Sequence, residues 1–165
     1  MGEKFRRYFL KDKDARLLLE EVSGRFGLGL GEVLGRRVGF ERVEAGFVDV
    51  FLVGGRPLVF RIDGAVFPTL VFDEFFARAG RVVVDMGAVP FVCKGADVMR
   101  PGVVRFEGEF GKGDVVFVVD VRYGKALAVG EALLDRAGAE GAKKGAVVRN
   151  VHFVGDRLWG LIKQL

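Results

Sequence analysis

The stretch Lys94-Gly95-Ala96-Asp97-Val98-Met99-Arg100-Pro101-Gly102-Val103, continued by Gly108-Glu109-Phe110-Gly111-Lys112-Gly113-Asp114, decides how this chain is read. Glycines, a proline and basic residues lie between runs of strand-forming residues. Glycine tolerates a positive φ and lets a ligand come close to the main chain. Lys94 and Arg100 put positive charge at the same point. A phosphate, or the end of a nucleotide chain, is the ligand such a loop suits.

Strands are expected on both sides of this loop. Upstream, Arg81–Asp85 reads as a strand, and Pro90 starts a short helix that Gly95 ends. Downstream, strands are expected near Val103–Phe110, Val115–Val121, Ala126–Leu133, Ala146–Val154 and Arg157–Ile162. Gly155-Asp156 reads as a tight hairpin between the last two. Short strands at this close spacing imply a small barrel or sandwich. Asp114 reads as a turn residue bonded to its own backbone.

Nearer the N-terminus the pattern is mixed. Asp12 is placed to cap a helix through Phe26, with Ala15, Leu18, Leu19, Val22 and Phe26 on one face and Gly27 as the stop. Leu28–Leu34 suggests a further short helix. Phe47–Val53 and Arg56–Ile62 read as strands around the hairpin signal Gly54-Gly55. Thr69 is expected to cap a helix running to about Arg78. Ala79-Gly80 marks a boundary. The fold class is therefore α+β, with an N-terminal α/β domain over residues 1–79 and a C-terminal β-barrel domain over 80–165.

Composition limits the function. The chain has 165 residues, half of them apolar, and a net charge of +4. Residues 1–80 hold 13 basic and 12 acidic side chains; residues 81–165 hold 13 and 10, so the excess lies in the second half. One Ser, one Thr, one Asn, one Gln and one His leave little for catalysis, and no nucleophile–base set or phosphate-loop motif is present. A lone histidine, His152, and a lone cysteine, Cys93, do not make a metal site. No cofactor and no enzymatic activity are expected. Arg outnumbers Lys by 17 to 9, which with few Asn, Gln and Cys suits a thermophile. No apolar run approaches the roughly 18 residues of a membrane span, so a soluble, cytoplasmic protein without membrane contact is expected.

Taken in order, the strand, the short helix, the GADVMRPGV loop, the GKGD turn, the KALAVGEAL strand and the closing NVHFVGDRLW segment resemble the RNA-binding PUA domain. Further back, VDVFLVGGRPLVFRIDGAVFPTL followed by VVVDMGAVPFVCKGADVMRPGV looks like one subfamily of PUA proteins. These are the translation factors of the malignant T-cell-amplified-sequence family, which share their architecture with the N-terminal part of ligatin; this chain is similar to an archaeal-type member. Phe67-Pro68-Thr69-Leu70 and His152 ahead of Leu158-Trp159 are its landmarks, and the likeness covers about residues 40–165.

The resemblance implies a pre-PUA domain followed by a PUA pseudo-barrel. It also implies a protein that binds tRNA near its acceptor end and small-subunit ribosomal RNA during initiation, reinitiation or recycling. A separate protein with an SUI-type domain is the implied partner, and a monomer is expected. The alternative is a tRNA-binding accessory module for a pseudouridine or archaeosine enzyme. The implied RNA contacts are Lys94, Gly95, Ala96, Asp97, Val98, Met99, Arg100, Pro101 and Gly102, with Arg105 on the next strand; Arg149 and Asn150, ahead of the closing segment, read either as RNA contacts beside that loop or as surface charge on an edge strand. Arg6-Arg7 and Arg36-Arg37 suit either ribosomal RNA or plain solvation.

Overall fold

The structure, a computed structural model, describes residues 2–27, 29 and 38–165. The helix expected over Leu28–Leu34 and the pair Arg36-Arg37 lie outside the described residues, Gly29 apart. The chain divides into two compact units, Met1–Glu74 with Gly160–Leu165, and Phe75–Trp159. The expected boundary at Ala79-Gly80 thus falls inside the second unit, and the last six residues group with the first.

The first unit is an antiparallel meander of β1 (Arg6–Phe9), β2 (Phe40–Glu44), β3 (Asp49–Val53), β4 (Arg56–Ile62) and β5 (Ala65–Pro68), ordered as they occur in the chain. Gly54 and Gly55 both take positive φ, 60° and 81°, which matches the twist that a two-residue hairpin requires. Helix α1 (Asp12–Phe26) buries Leu18, Val22 and Phe26, the spacing of one helical face. Lys11, not Asp12, holds the cap position and no side chain caps it; Asp12 and Asp14 instead lie in the first turn, where the helix dipole favours them. Gly27, at φ 70°, closes the helix with its N–H on the Ser23 carbonyl.

Thr69 does not cap a helix. Ala65–Pro68 extend the sheet, Phe67 pairs with Phe60 with rings 5.6 Å apart, and the buried Thr69 hydroxyl donates to the Pro57 carbonyl at 2.7 Å. Helix α2 is only Asp73–Phe76. Apolar burial on the edge of the sheet outweighs the local helix signal here.

The second unit is a mixed sheet ordered β7-β11-β10-β9-β6-β8. Its strands are β6 (Gly80–Val84), β7 (Val98–Met99), β8 (Val103–Glu107), β9 (Val115–Asp120), β10 (Ala126–Ala132) and β11 (Ala146–Phe153). Only β6 and β9 run parallel. Every residue of β9 is buried, and Val115–Val119 read as an unbroken apolar run. Val82, Val84, Phe106, Val116, Val118, Ala128 and Val148 make the core.

Two further helices were not legible in the sequence. Helix α4 (Arg136–Gly141) starts where Asp135 accepts the Gly138 N–H at 2.7 Å. Helix α5 (Arg157–Ile162) replaces the last expected strand, and Gly155-Asp156 leads into it and is not a hairpin. Asp156 accepts the Trp159 N–H at 2.7 Å, and Leu158, Leu161 and Ile162 are buried at helical spacing. The same carboxylate lies 2.8 Å from Nδ1 of the fully buried His152.

Candidate nucleic-acid interface

Strand β6 leaves the sheet at Val84. The next residue, Asp85, donates its N–H to the Gly102 carbonyl at 3.0 Å and accepts the Ala88 N–H on Oδ1 at 2.8 Å. That turn sets up helix α3 (Val89–Val92), with Pro90 in its first turn where no donor is needed. Gly95 ends the helical turn at φ 96°. A Cβ there would also lie 3.0 Å from the Phe153 ring, so the backbone angle and the close approach both call for glycine.

The loop after α3 is tied down from β11. Asn150 Nδ2 donates to the carbonyls of Val92 and Ala96, each at 3.0 Å, and the Asn150 backbone N–H donates to Asp97 Oδ1 at 3.0 Å. The amide hydrogens of Asn150, expected to face RNA, are therefore spent on holding the loop. Asp97 is engaged from the same side. Arg100 is also turned back on the protein. Its guanidinium donates to the carbonyls of Val103 and Glu140 at 3.3 and 3.4 Å and lies 5.3 Å from the Phe106 ring. Its backbone N–H reaches the Gly145 carbonyl at 2.8 Å. Pro101 and Gly102 form a 3-10 turn with it, and a Cβ on Gly102 would crowd Ala88 at 3.2 Å.

The remaining cations are outside. Lys94 is exposed. Arg105 is exposed beside Glu107 at 3.2 Å, and Arg149 is exposed 3.8 Å from Glu131. Val98 is buried, whereas Met99, Val104 and Phe91 are more than half exposed or close to it, at 51, 50 and 66%. Between α3 and the loop lies a largely apolar cavity of about 230 Å³. Ala88, Phe91, Val92, Ala96, Val98, Met99 and Gly102 line it, with Asp97 at its edge. The sequence pointed to the loop but not to Ala88, Phe91 and Val92. An aromatic beside a proline on a four-residue helix was the available signal, because so short a helix cannot bury every side.

The cavity offers apolar walls, and the exposed Lys94 belongs to the loop that closes it. That arrangement accommodates one flat, partly apolar group attached to an anion. The Cys93 thiol is pushed up by burial, away from nucleophilic chemistry. Among the described residues no group of three or more His, Cys, Asp or Glu is placed to hold a metal, and no helix is long and apolar enough to cross a membrane.

The sequence profile of the PUA domain matches residues 80–154, the stretch that carries this cavity and all the elements around it. An uncharacterised protein of Methanocaldococcus jannaschii is 36% identical over 155 residues, covering 93% of this chain and 95% of its own length. A PUA domain from Aeropyrum pernix K1, solved as a tartrate complex, superposes with a TM-score of 0.85 at 31% identity, covering 97% of this chain and 92% of that one. The chain belongs to the PUA-domain family, whose members carry an RNA-binding module.

More particularly, its relatives include translation machinery-associated protein 20 of Saccharomyces cerevisiae, 29% identical over 68% of this chain and 66% of that protein. Malignant T-cell-amplified sequence 1 of Rattus norvegicus is 31% identical over 68% of this chain and 64% of its own length. The chain thus spans about two thirds of these two relatives.

Proposed function

We propose that this protein is a non-enzymatic translation factor that holds the acceptor end of a tRNA against the small ribosomal subunit. The observation that carries this reading is the apolar cavity beside a glycine-bearing loop with Lys94 at its edge. Base readout in single strands uses apolar or aromatic surfaces, with cations taking the phosphates. A 230 Å³ cavity suits one base at a chain end rather than a folded duplex. Arg105 and Arg149 extend the charge along β8 and β11, whereas Asn150, Asp97 and Arg100 shape the loop from behind.

Residues 80–165 then act as the PUA domain and residues 1–79 as a pre-PUA domain. The protein works as a cytoplasmic monomer, with a separate SUI-domain protein as its partner. The likeness to translation machinery-associated protein 20 supports a role in translation, and the Arg-rich, Asn- and Gln-poor composition supports a thermophilic setting.

Sedimentation with purified small ribosomal subunits, with and without tRNA and at two salt concentrations, tests the proposal. Co-sedimentation enhanced by tRNA and weakened by salt is the expected result. Binding to free tRNA without the subunit points instead to an accessory module for RNA modification. Binding to neither overturns the proposal.

A further inference from the structure

The connection between β9 and β10, Val121-Arg122-Tyr123-Gly124-Lys125, is held far more firmly than an exposed hairpin needs. Asp120, 4% exposed, closes it from below. Its carboxylate accepts the Tyr123 N–H on Oδ1 and the Lys125 N–H on Oδ2, the second at 3.1 Å. Gly124, at φ 64°, donates to the Asp120 carbonyl at 3.0 Å, and the Asp120 N–H reaches the Lys125 carbonyl at 3.3 Å. Burial pushes this carboxyl up, but the N–H groups of Tyr123, Lys125, Arg122 and Gly124 outweigh it and hold it below the ordinary value.

What the rigid turn presents is a tyrosine between two cations. Tyr123 is 73% exposed, the Arg122 guanidinium lies 6.0 Å from its ring centre, and Arg122 and Lys125 are themselves exposed. An aromatic face flanked by positive charge is a stacking platform for a base with its phosphates on either side. Fixing the backbone in advance removes part of the entropy cost of binding.

The turn also stands at the right end of the sheet. The Val121 N–H donates to the Val84 carbonyl at 2.9 Å. The next residue after Val84 is Asp85, which bonds Gly102 at 3.0 Å, and Gly102 and Ala88 are walls of the apolar cavity. From the other side, the Val154 N–H donates to the Leu127 carbonyl at 2.9 Å, so the end of β11 adjoins the start of β10 here. The turn and the cavity leave the sheet as neighbours.

We propose that the 121–125 turn is a second nucleotide subsite, where Tyr123 stacks on a base of a single-stranded RNA whose end nucleotide occupies the cavity, and Arg122 and Lys125 take the adjoining phosphates. This rests on the RNA-binding reading above and adds to it a minimum ligand length and a single-stranded ligand.

Fluorescence anisotropy with labelled single-stranded RNAs of two and of eight nucleotides tests it. The proteins are wild type, Tyr123→Ala, Tyr123→Phe and the cavity variant Met99→Glu. The expected result is that Tyr123→Ala binds the octamer about tenfold more weakly and the dinucleotide unchanged, while Tyr123→Phe matches wild type. Octamers with one abasic position then show one site at which wild type falls to the Tyr123→Ala level and the variant loses nothing more, the coupling a stacked pair requires.

If Tyr123→Ala binds the octamer like wild type while Met99→Glu loses it, the subsite is overturned and the cavity stands. Equal loss on both RNAs, or no abasic position that couples to Tyr123, overturns the subsite too. If wild type binds neither RNA, the RNA-binding reading falls and the subsite with it.

Discussion

The two units differ in what their arginines hold. In the antiparallel meander they pair with carboxylates on neighbouring segments: Arg7 with Glu41 at 2.9 Å, Arg42 with Asp49 at 2.9 Å, Arg56 with both oxygens of Glu74 at 2.6 Å, and Arg61 with Glu21. In the mixed sheet two arginines also hold backbone carbonyls, although Arg136 pairs with Glu140 at 2.7 Å, Arg105 with Glu107 at 3.2 Å and Arg149 with Glu131 at 3.8 Å. Arg100 reaches Val103 and Glu140, and Arg136 reaches Gly108 at 2.6 Å and Phe106 at 3.2 Å. A carboxylate partner cancels charge, whereas a carbonyl partner leaves it in place. Residues 81–165 carry 13 basic against 10 acidic side chains and residues 1–80 carry 13 against 12, so the stretch that holds the cavity is the more basic of the two.

The largest effect is expected where that surface is anchored. Gly130 pairs with Asn150 at a bulge in β10–β11, and a Cβ there would lie 2.6 Å from the Arg149 carbonyl. Gly130→Val should cost about 3 kcal/mol, read by urea denaturation, and should free the loop that Asn150 holds. An unchanged midpoint would mean that the bulge yields without strain.

Asn150→Ala comes next. It removes the side-chain donor to the carbonyls of Val92 and Ala96, leaving the Val92 carbonyl only the Gly95 N–H at 3.0 Å. A loss of about 2 kcal/mol is expected, together with weaker RNA binding, because the loop itself loosens. The combination separates a positioning role from direct contact; loss of RNA affinity at full stability would put Asn150 on the RNA after all.

Phe91→Asp and Met99→Glu put charge at the walls of the cavity from exposed positions, so stability should hold while RNA affinity falls about tenfold, some 1.4 kcal/mol. Equal affinity in both variants would move the site away from the cavity.

How much of this was legible follows from which interactions are local. The strands β6, β8, β9, β10 and β11, the Gly54-Gly55 hairpin and the Asp114 turn, whose carboxylate accepts the Gly111 N–H at 2.7 Å, are marked by local runs of residues, whereas β7 (Val98–Met99), which pairs with β11 at Ala146 and Val148, lies inside what reads as loop. The helices α4 and α5 span six residues each, too few for periodicity to show, and Arg157-Leu158-Trp159 carries strand-like residues whose helical fate is set by Asp156. The candidate loop could be located from its glycines. The orientation of its polar groups could not, because Asn150 meets Val92 across 58 residues and Arg100 meets Glu140 across 40. Those contacts belong to the topology, and they decide which side chains hold the loop and which remain outside.

Asp156 tests the fixed groups of the second unit by pH. Burial pushes its carboxyl up, but His152 and the N–H groups of Phe153 and Trp159 prevail and hold it below the ordinary value. A carboxyl lowered in the folded state lends stability that is fully present above the unfolded value of about 3.9 and is lost as pH falls through the folded one. Thermal melts should therefore lose stability on the acid side of pH 4. Asp156→Asn should flatten that limb and lower stability at neutral pH by about 1 kcal/mol. An acid limb of the same size in the variant would assign it to other carboxylates.

The smallest effects discriminate between the units most directly. Arg56→Ala removes an exposed bidentate pair and should cost at most about 1 kcal/mol. Its arginine holds the Glu74 carboxyl below the usual value, so the Glu74 titration should move up in the variant. RNA affinity should not change, because that charge was already cancelled. Lys94→Ala should do the reverse: no change in stability, a modest loss of affinity, and a slope of log affinity against log salt shallower by about one. If Arg56→Ala also shortened the salt slope, paired arginines would be reaching phosphate, and the neutrality of the first unit would not keep it off the RNA.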